Sequence, residues 1–574
     1  MHISQTSIAT SEPNRSRRRL LVGSVLAAIV CAGALLATSP GLPMVWDEGN
    51  AILRAEGILR WFYRWQPGAD GPGPLSREAI ENDWLYTVPF EKKLDAYQIE
   101  LQGEGHPAFY GIVITAGRCC SWTWLAPLDA ARFGPMMLFA VAAGAMFYRM
   151  GRDYSIVAAV GAVAALMLMP RLFAHAHFAS FDGPLTSCWI LAWATFAPAR
   201  KKWPAAVLWG IMLGMTLSCK APGWFAPLPF IAWAAIYRDR SAAKALAIGI
   251  PTALATFFLL NPPLWHQPIH GWAEFFDLNL HRAARLQLNI PIQFLGEIHH
   301  LGNPLPWYNT LFWTAVTVPV GTLLLAGIGL AAVFRRCRTD RAGILLVGNW
   351  LVLLIVRAVP GTPPHDGMRL FLPSFAMLAA LAGIGCGTLL SWAATRWPNR
   401  LRARAVALVS LGLLFAGSAS SLVWYAPHWL SYYNLLIGGL PGATAAGMEP
   451  TYYWDGLDRS VFDWLDENTE ENQNIWIRSP SLENLVWMHR RKGTQFDPVP
   501  GAYRWYVLQN RPGDWPPDSA ERRLMEEFTP AMAKTIRTGG WGPWRLDVPL
   551  VAVYDFRQYF EASQTQPSRD SRGH

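Results

Sequence analysis

Arg15-Ser-Arg-Arg-Arg19 runs directly into Leu20-Leu-Val-Gly-Ser-Val-Leu-Ala-Ala-Ile-Val-Cys-Ala-Gly-Ala-Leu-Leu-Ala-Thr38, and Trp46-Asp47-Glu48 follows shortly after. A basic cluster, an apolar run long enough for the ~30 Å hydrocarbon core of a bilayer, and two carboxylates just beyond it read as a membrane anchor with acid groups at its far end. Ala37-Thr-Ser-Pro40 resembles a signal-peptide cleavage site. The acidic pair directly after it argues for an anchor that is retained.

The same unit repeats outward from this stretch. Apolar blocks recur at about 107–127, 132–148, 154–170, 183–197, 203–218, 222–237, 243–260, 307–334, 342–358, 371–392 and 404–424. Backbone polar groups must be paired internally in lipid, so these blocks are expected to be helices. Only 16% of the residues are charged and 52% are apolar, against about 25% charged in a soluble domain. The net charge of +9 sits in short clusters between blocks, at Arg15–Arg19, Arg149–Arg152, Lys201–Lys202, Arg238–Arg240, Arg335–Arg341 and Arg396–Arg404. Positive-inside topology accounts for these clusters better than a nucleic-acid face does, so no nucleic-acid partner is expected. No cysteine falls in the C-terminal tract, and no disulfide framework is implied there.

Placing every basic cluster in the cytoplasm leaves one parity conflict, between the first span and Arg149–Arg152. It is relieved if part of 107–127, interrupted by Arg118 and Pro127, is re-entrant or interfacial. The segments 39–106, 171–182, 219–222, 261–306, 359–370 and everything after 425 then lie outside. The expected architecture is a multi-pass α-helical membrane protein of about 11–13 spans. It comprises a cytoplasmic basic segment 1–19, a membrane region 20–439 with outer loops 39–106 and 261–306, and a small extracytoplasmic α/β domain 440–574 with a loose tail from about Glu561. In that domain Ser460–Glu467 and Leu482–Arg490 read as helices, and Asn474–Arg478, Arg504–Leu508 and Leu550–Tyr554 as strands. The expected location is the plasma (inner) membrane.

Nearly all the chemically capable residues fall in the outer segments. Asp47 and Glu48 form a carboxylate pair at an interface, where repulsion and desolvation can raise one pKa into the range of a general base; an acidic helix start is the plainer reading. His106-Pro107 most simply opens the next helix. Arg171-Leu-Phe-Ala-His175-Ala-His177 precedes Asp182, which is costly at a span start unless it faces a cavity or a partner. Lys220, in Ser218-Cys-Lys-Ala-Pro222-Gly223, runs against the positive-inside trend and invites an anionic phosphate; snorkelling is the alternative. His365-Asp366-Gly-Met-Arg369 offers either a phosphate grip through arginine or an internal Asp366–Arg369 pair. The histidines of 261–306 have no regular spacing, so no metal site or cofactor is expected. A divalent cation would need ligands that the spacing does not supply.

In order, Asp-Glu after the first span, His-Pro at the next block, Asp182, a Lys-x-Pro-Gly turn, Pro306-Trp-Tyr308 and Arg369-Leu-Phe-Leu-Pro373 resemble the GT-C superfamily. The resemblance is specifically to glycosyltransferase family 39-like proteins, which include the protein O-mannosyltransferases and bacterial aminoarabinose transferases, and it covers roughly 40–440. Ser431-Tyr-Tyr-Asn434 through Gly438-Gly439 is similar to a segment after the last span of some bacterial members. The resemblance implies an inverting enzyme that moves a sugar from a polyprenyl-phosphate donor to a protein, lipid or envelope-glycan acceptor. It makes Asp47 the candidate general base and places Asp182 at the family's second acidic position, with Lys220 and Arg369 as candidates for the phosphate; Glu48 is grouped with the catalytic candidates, and His106, His177 and His365 with the substrate-binding ones. The chain departs from the family at Ala108, where a second proline is usual, and at Cys219 and Ala221 around the lysine. The acceptor is therefore not inferable from the subfamily. A lipid or sugar transporter is a rival reading, disfavoured by the long outer loops and appended domain. So is a non-catalytic assembly protein, against which an intact Asp47-Glu48 argues.

Overall fold

A computed structural model describes residues 12–84, 106–281, 290–396, 399–470, 473–479, 484, 503–537 and 547–564. Most of the expected stretch Leu482–Arg490 and residues 85–105 of the first long loop lie outside the described residues.

Among the described residues, six helices are long and apolar enough to cross a membrane: Arg17–Thr38, Pro127–Asp153, Arg240–Leu259, Arg341–Ala358, Gly367–Arg396 and Leu401–Tyr425. Shorter apolar helices run over Ile156–Met167, Trp203–Leu217, Ala221–Ile236 and Val320–Arg335. At 1.5 Å per residue a helix of 16 residues reaches about 24 Å, short of the ~30 Å hydrocarbon thickness. Proline or a polar turn opens several of them, as at Pro319 and Ser155. Phe109–Ser121 is shorter still, 13 residues, and is followed after Trp122–Ala126 by the long helix from Pro127.

The helix Leu372–Arg396 forms the centre of the bundle, with most of its surface covered. It crosses Val320–Arg335 through glycine on both sides. A Cβ at Gly329 would lie 1.9 Å from the Leu381 carbonyl oxygen, and one at Gly385 1.9 Å from that of Leu325. Only the missing side chains allow this approach, which serves in place of hydrophobic drive in a bilayer. By contrast Val30 and Val423, on Arg17–Thr38 and Leu401–Tyr425, are 70% and 78% exposed, as lipid-facing flanks would be.

The C-terminal tract carries a four-stranded sheet of β3 (Asn474–Ile477), β4 (Tyr503–Gln509), β5 (Met532–Arg537) and β6 (Asp547–Asp555), in the order β3-β4-β6-β5. β3 and β4 are parallel and the other pairs antiparallel. Alternation puts Trp505, Val507, Val551 and Val553 on one face and Tyr506, Leu508, Ala552 and Tyr554 on the other. Helix Arg459–Asn468 covers the first face, and Ala520–Glu527 and Phe556–Gln564 the second. A short hairpin, β1 (Ile292–Phe294) and β2 (Glu297–His299), lies in the loop 261–306.

The last described helix runs from Phe556 to Gln564, and residues 565–574 of the expected tail lie outside the described residues. Leu440, Met448, Tyr452 and Tyr453 belong to the same buried cluster as the helices, whereas Leu457 and Val461 belong to the cluster under the sheet. The segment from Trp429 to Trp454 thus threads from the last long helix into the bundle before the sheet begins.

Candidate active site

Asp47 is the residue before the helix Glu48–Tyr63, on the turn that follows the first long helix. Its side chain and that of Glu48, adjacent in sequence, take opposite surroundings. Glu48 is fully buried and held bidentately by Arg132, at 2.8 Å (Nε–Oε1) and 2.7 Å (Nη2–Oε2). It also accepts the backbone N–H groups of Ala179 at 2.8 Å and Val45 at 3.2 Å. Its lone pairs are occupied, and it faces away from the cavity described next.

Asp47 opens onto a cavity of about 370 Å³ that also takes in Trp46, His106, Lys220, Arg357, Asp366 and Arg369. The 3-10 turn Gly367–Phe371 aims Arg369 inward, and three carboxylates converge on it. Nη1 donates to Asp47 Oδ2 and approaches Asp182 Oδ2 at 3.6 Å, while Nη2 donates to Asp366 Oδ2. Asp182, at the first turn of Asp182–Ala199, also accepts from Lys220 Nζ at 2.7 Å. Burial pushes the Lys220 ammonium down to about 8, with Asp182 pulling the other way. Burial alone would raise Asp366, but Arg369, then His365 and Arg511, bring it down to about 2.

A second layer comes from the C-terminal tract. Tyr453 donates to Asp47 Oδ2 at 2.7 Å and lays its ring 4.0 Å from the Arg369 guanidinium carbon. Arg511 stacks 3.5 Å over Trp454 and stands 3.5 Å from Asp366 Oδ1 and 3.7 Å from Glu449. Burial pushes the Glu449 carboxyl up to about 7, against the pull of Arg511.

The arrangement thus brings together Asp47, Asp182, Lys220, His365, Asp366, Arg369 and, at the wall, His106, whose ring lies 4.4 Å from that of Phe181. It leaves His177 apart, bonded to Thr38 and the Phe173 carbonyl and stacked on Trp429. Burial pushes the imidazoles of His177 and His365 down to about 3, so both rings are neutral at physiological pH. Among the described residues no group of three or more His, Cys, Asp or Glu is placed to hold a metal ion.

Arg357 lines the cavity although the sequence did not single it out. It ends the apolar helix Arg341–Ala358 and is 6% exposed, and Nη1 donates to Thr362 at 3.0 Å. Its Nε and Nη2 have no hydrogen-bond partner among the described residues. A lone arginine in the last turn of a span is expensive without a ligand or partner, and that was the available signal. Asp47 Oδ1 is likewise without a hydrogen bond among the described residues, since both of Asp47's side-chain bonds are made by Oδ2.

No family model matches the chain, and no curated protein matches it. Among solved structures it is similar to ArnT from Cupriavidus metallidurans bound to undecaprenyl phosphate, at 12% identity and a TM-score of 0.46, over 95% of this chain and 99% of that one. It is also similar to the archaeal oligosaccharyltransferase AglB from Archaeoglobus fulgidus in complex with an inhibitory peptide and a dolichol-phosphate. There the identity is 11% and the TM-score 0.48, over 85% of this chain and 69% of that one.

Proposed function

We propose that the chain is an inverting membrane glycosyltransferase that moves a sugar from a polyprenyl-phosphate donor to a hydroxyl acceptor on the non-cytoplasmic face. The observation that carries this reading is one cavity holding both halves of the chemistry. A carboxylate presents an open oxygen, Asp47 Oδ1, and a buried arginine presents open N–H groups, Arg357 Nε and Nη2.

In the proposed step, Asp47 Oδ1 takes the acceptor's hydroxyl proton as that oxygen attacks the anomeric carbon. The bond from that carbon to the phosphate oxygen breaks, and its electron pair leaves on the polyprenyl phosphate. The phosphate passes from one negative charge to two, so cations facing it act most strongly late in the step. Arg357 and Lys220 are assigned to it. Arg369, whose two Nη groups are engaged by carboxylates, orients Asp47, Asp182 and Asp366 rather than gripping phosphate. Glu48 is assigned to holding the turn, not to catalysis.

The test is to incubate purified protein with a panel of radiolabelled polyprenyl-phosphate sugars and crude envelope acceptors. Transfer from at least one donor, lost in Asp47→Asn and with donor KM raised in Arg357→Ala, supports the reading. Binding of every donor without turnover in any combination overturns it and favours a transport role.

A further inference from the structure

The helical region alone does not complete the surroundings of Asp47. Its turn is gripped from the C-terminal tract at three points. Tyr453 donates its hydroxyl to Asp47 Oδ2 at 2.7 Å, from 406 positions away in the chain. The carbonyl of the same Tyr453 accepts the N–H of Trp46 at 3.2 Å. Asn484 clamps the turn by donating to the Val45 carbonyl at 2.9 Å and accepting from the Gly49 N–H at 2.7 Å. Trp454 follows at φ 55°, in the left-handed region that a bulky residue adopts only under constraint, with its ring 4.4 Å from that of Trp46.

We infer that the C-terminal tract is part of the catalytic apparatus, with Tyr453 the positioning residue that holds Asp47 Oδ2 so that Oδ1 faces the substrate. This rests on Asp47 being the base proposed above. The geometry explains the division of labour between the two oxygens. Oδ2 takes both donors, Arg369 and Tyr453, and each favours the charged carboxylate. Held at one oxygen, the carboxylate cannot rotate freely about its Cβ–Cγ bond, and the second oxygen keeps one direction. Burial raises the Tyr453 phenol well above its ordinary range, so it remains a donor while Asp47 is ionised. Charged or titratable groups face Asp47 from each neighbouring element: Arg369 and Asp366 from the turn before the central helix, Asp182 from its helix start, Lys220 from the turn after Leu217, and Tyr453 itself. His106 and His365 line the same cavity.

Removing the Tyr453 hydroxyl takes a donor from the charged form of Asp47, so the carboxyl should take up its proton at higher pH. The experiment compares full-length parent, Tyr453→Phe and Asn484→Ala in two readouts. One is the pH profile of kcat with whichever donor the parent uses. The other is an isotope-edited infrared titration of the Asp47 carboxylate, its band assigned by its loss in Asp47→Asn. Tyr453→Phe should lower kcat roughly tenfold, move the acid limb to higher pH and move the infrared titration with it, with donor KM held. Asn484→Ala should lower kcat with the limb unmoved, because Asn484 touches the turn and not the carboxylate. An unmoved Asp47 titration in folded Tyr453→Phe overturns the inference. If the titration moves but the parent turns over no donor, the proposed function fails while the positioning role stands. Should Tyr453→Phe not fold, 3-fluorotyrosine at 453 preserves the hydroxyl as a stronger donor, and the titration must then shift to lower pH or the inference fails.

Discussion

At the residue scale, two neighbouring carboxylates stand in different surroundings, and substitution should separate the roles proposed for them. On the proposed reading Asp47→Asn keeps the shape but removes the base, a loss of ~10²–10⁴-fold in rate. Glu48→Gln breaks a buried pair with Arg132. Removing one partner of such a pair typically costs about 3–5 kcal/mol, so the expected outcome is a lowered unfolding midpoint in detergent. Parental stability in Glu48→Gln together with lost transfer would reverse the two assignments. Lys220 provides a pH test. Its ammonium is pushed down to about 8, so its charge is lost as pH rises through that value. If it faces the donor phosphate, donor KM should climb above about pH 8 in the parent. The climb should be absent in Lys220→Arg, which stays charged. Asp47, Asp182, Lys220 and Arg369 were legible because each is a charge standing at the end of an apolar block. Arg357 was hidden inside one such block. Tyr453, Asn484 and Arg511 carry no local signal, since their meaning lies in contacts across hundreds of positions.

At the element scale, helix positions followed from apolar length, while their contacts depended on glycine. Gly385→Val would drive a side chain into the Leu325 carbonyl and force the central helix from Val320–Arg335. Overpacking of this kind typically costs about 1–3 kcal/mol, and backbone is the least yielding neighbour. Gly327→Ala, on the facing helix Val320–Arg335, meets nothing within 4 Å and is the control. Thermal unfolding in detergent should show a lower midpoint for the first and none for the second; equal midpoints would mean that the crossing is not as close as described. In the C-terminal tract β3, β4 and β6 were visible as short runs of aromatic and aliphatic residues. β5 was not, because Met532-Ala-Lys-Thr-Ile-Arg537 mixes charge and small residues on an edge strand that only its pairing with β6 defines.

At the scale of the whole molecule, the account depends on sidedness, since a polyprenyl-linked donor and the cavity must meet on one face. From Lys and Arg placement we propose that this face lies away from the cytoplasm. In a background lacking native cysteines, Asp70→Cys and Asp514→Cys should react with an impermeant thiol reagent in intact spheroplasts, and Arg338→Cys should not. The opposite pattern would invert the topology. The C-terminal tract, although it looked in sequence like an appended unit, wraps its first segment into the helical core and reaches Asp47 itself.

The proposed reaction is a single displacement at the anomeric carbon with Asp47 as base, and the anomeric configuration of the product is its sharpest test. Proton NMR of the transferred sugar, formed from a donor of known configuration, should show inversion in the parent and no product from Asp47→Asn on the same timescale. Retention of configuration, or parental yields from Asp47→Asn, would contradict the account.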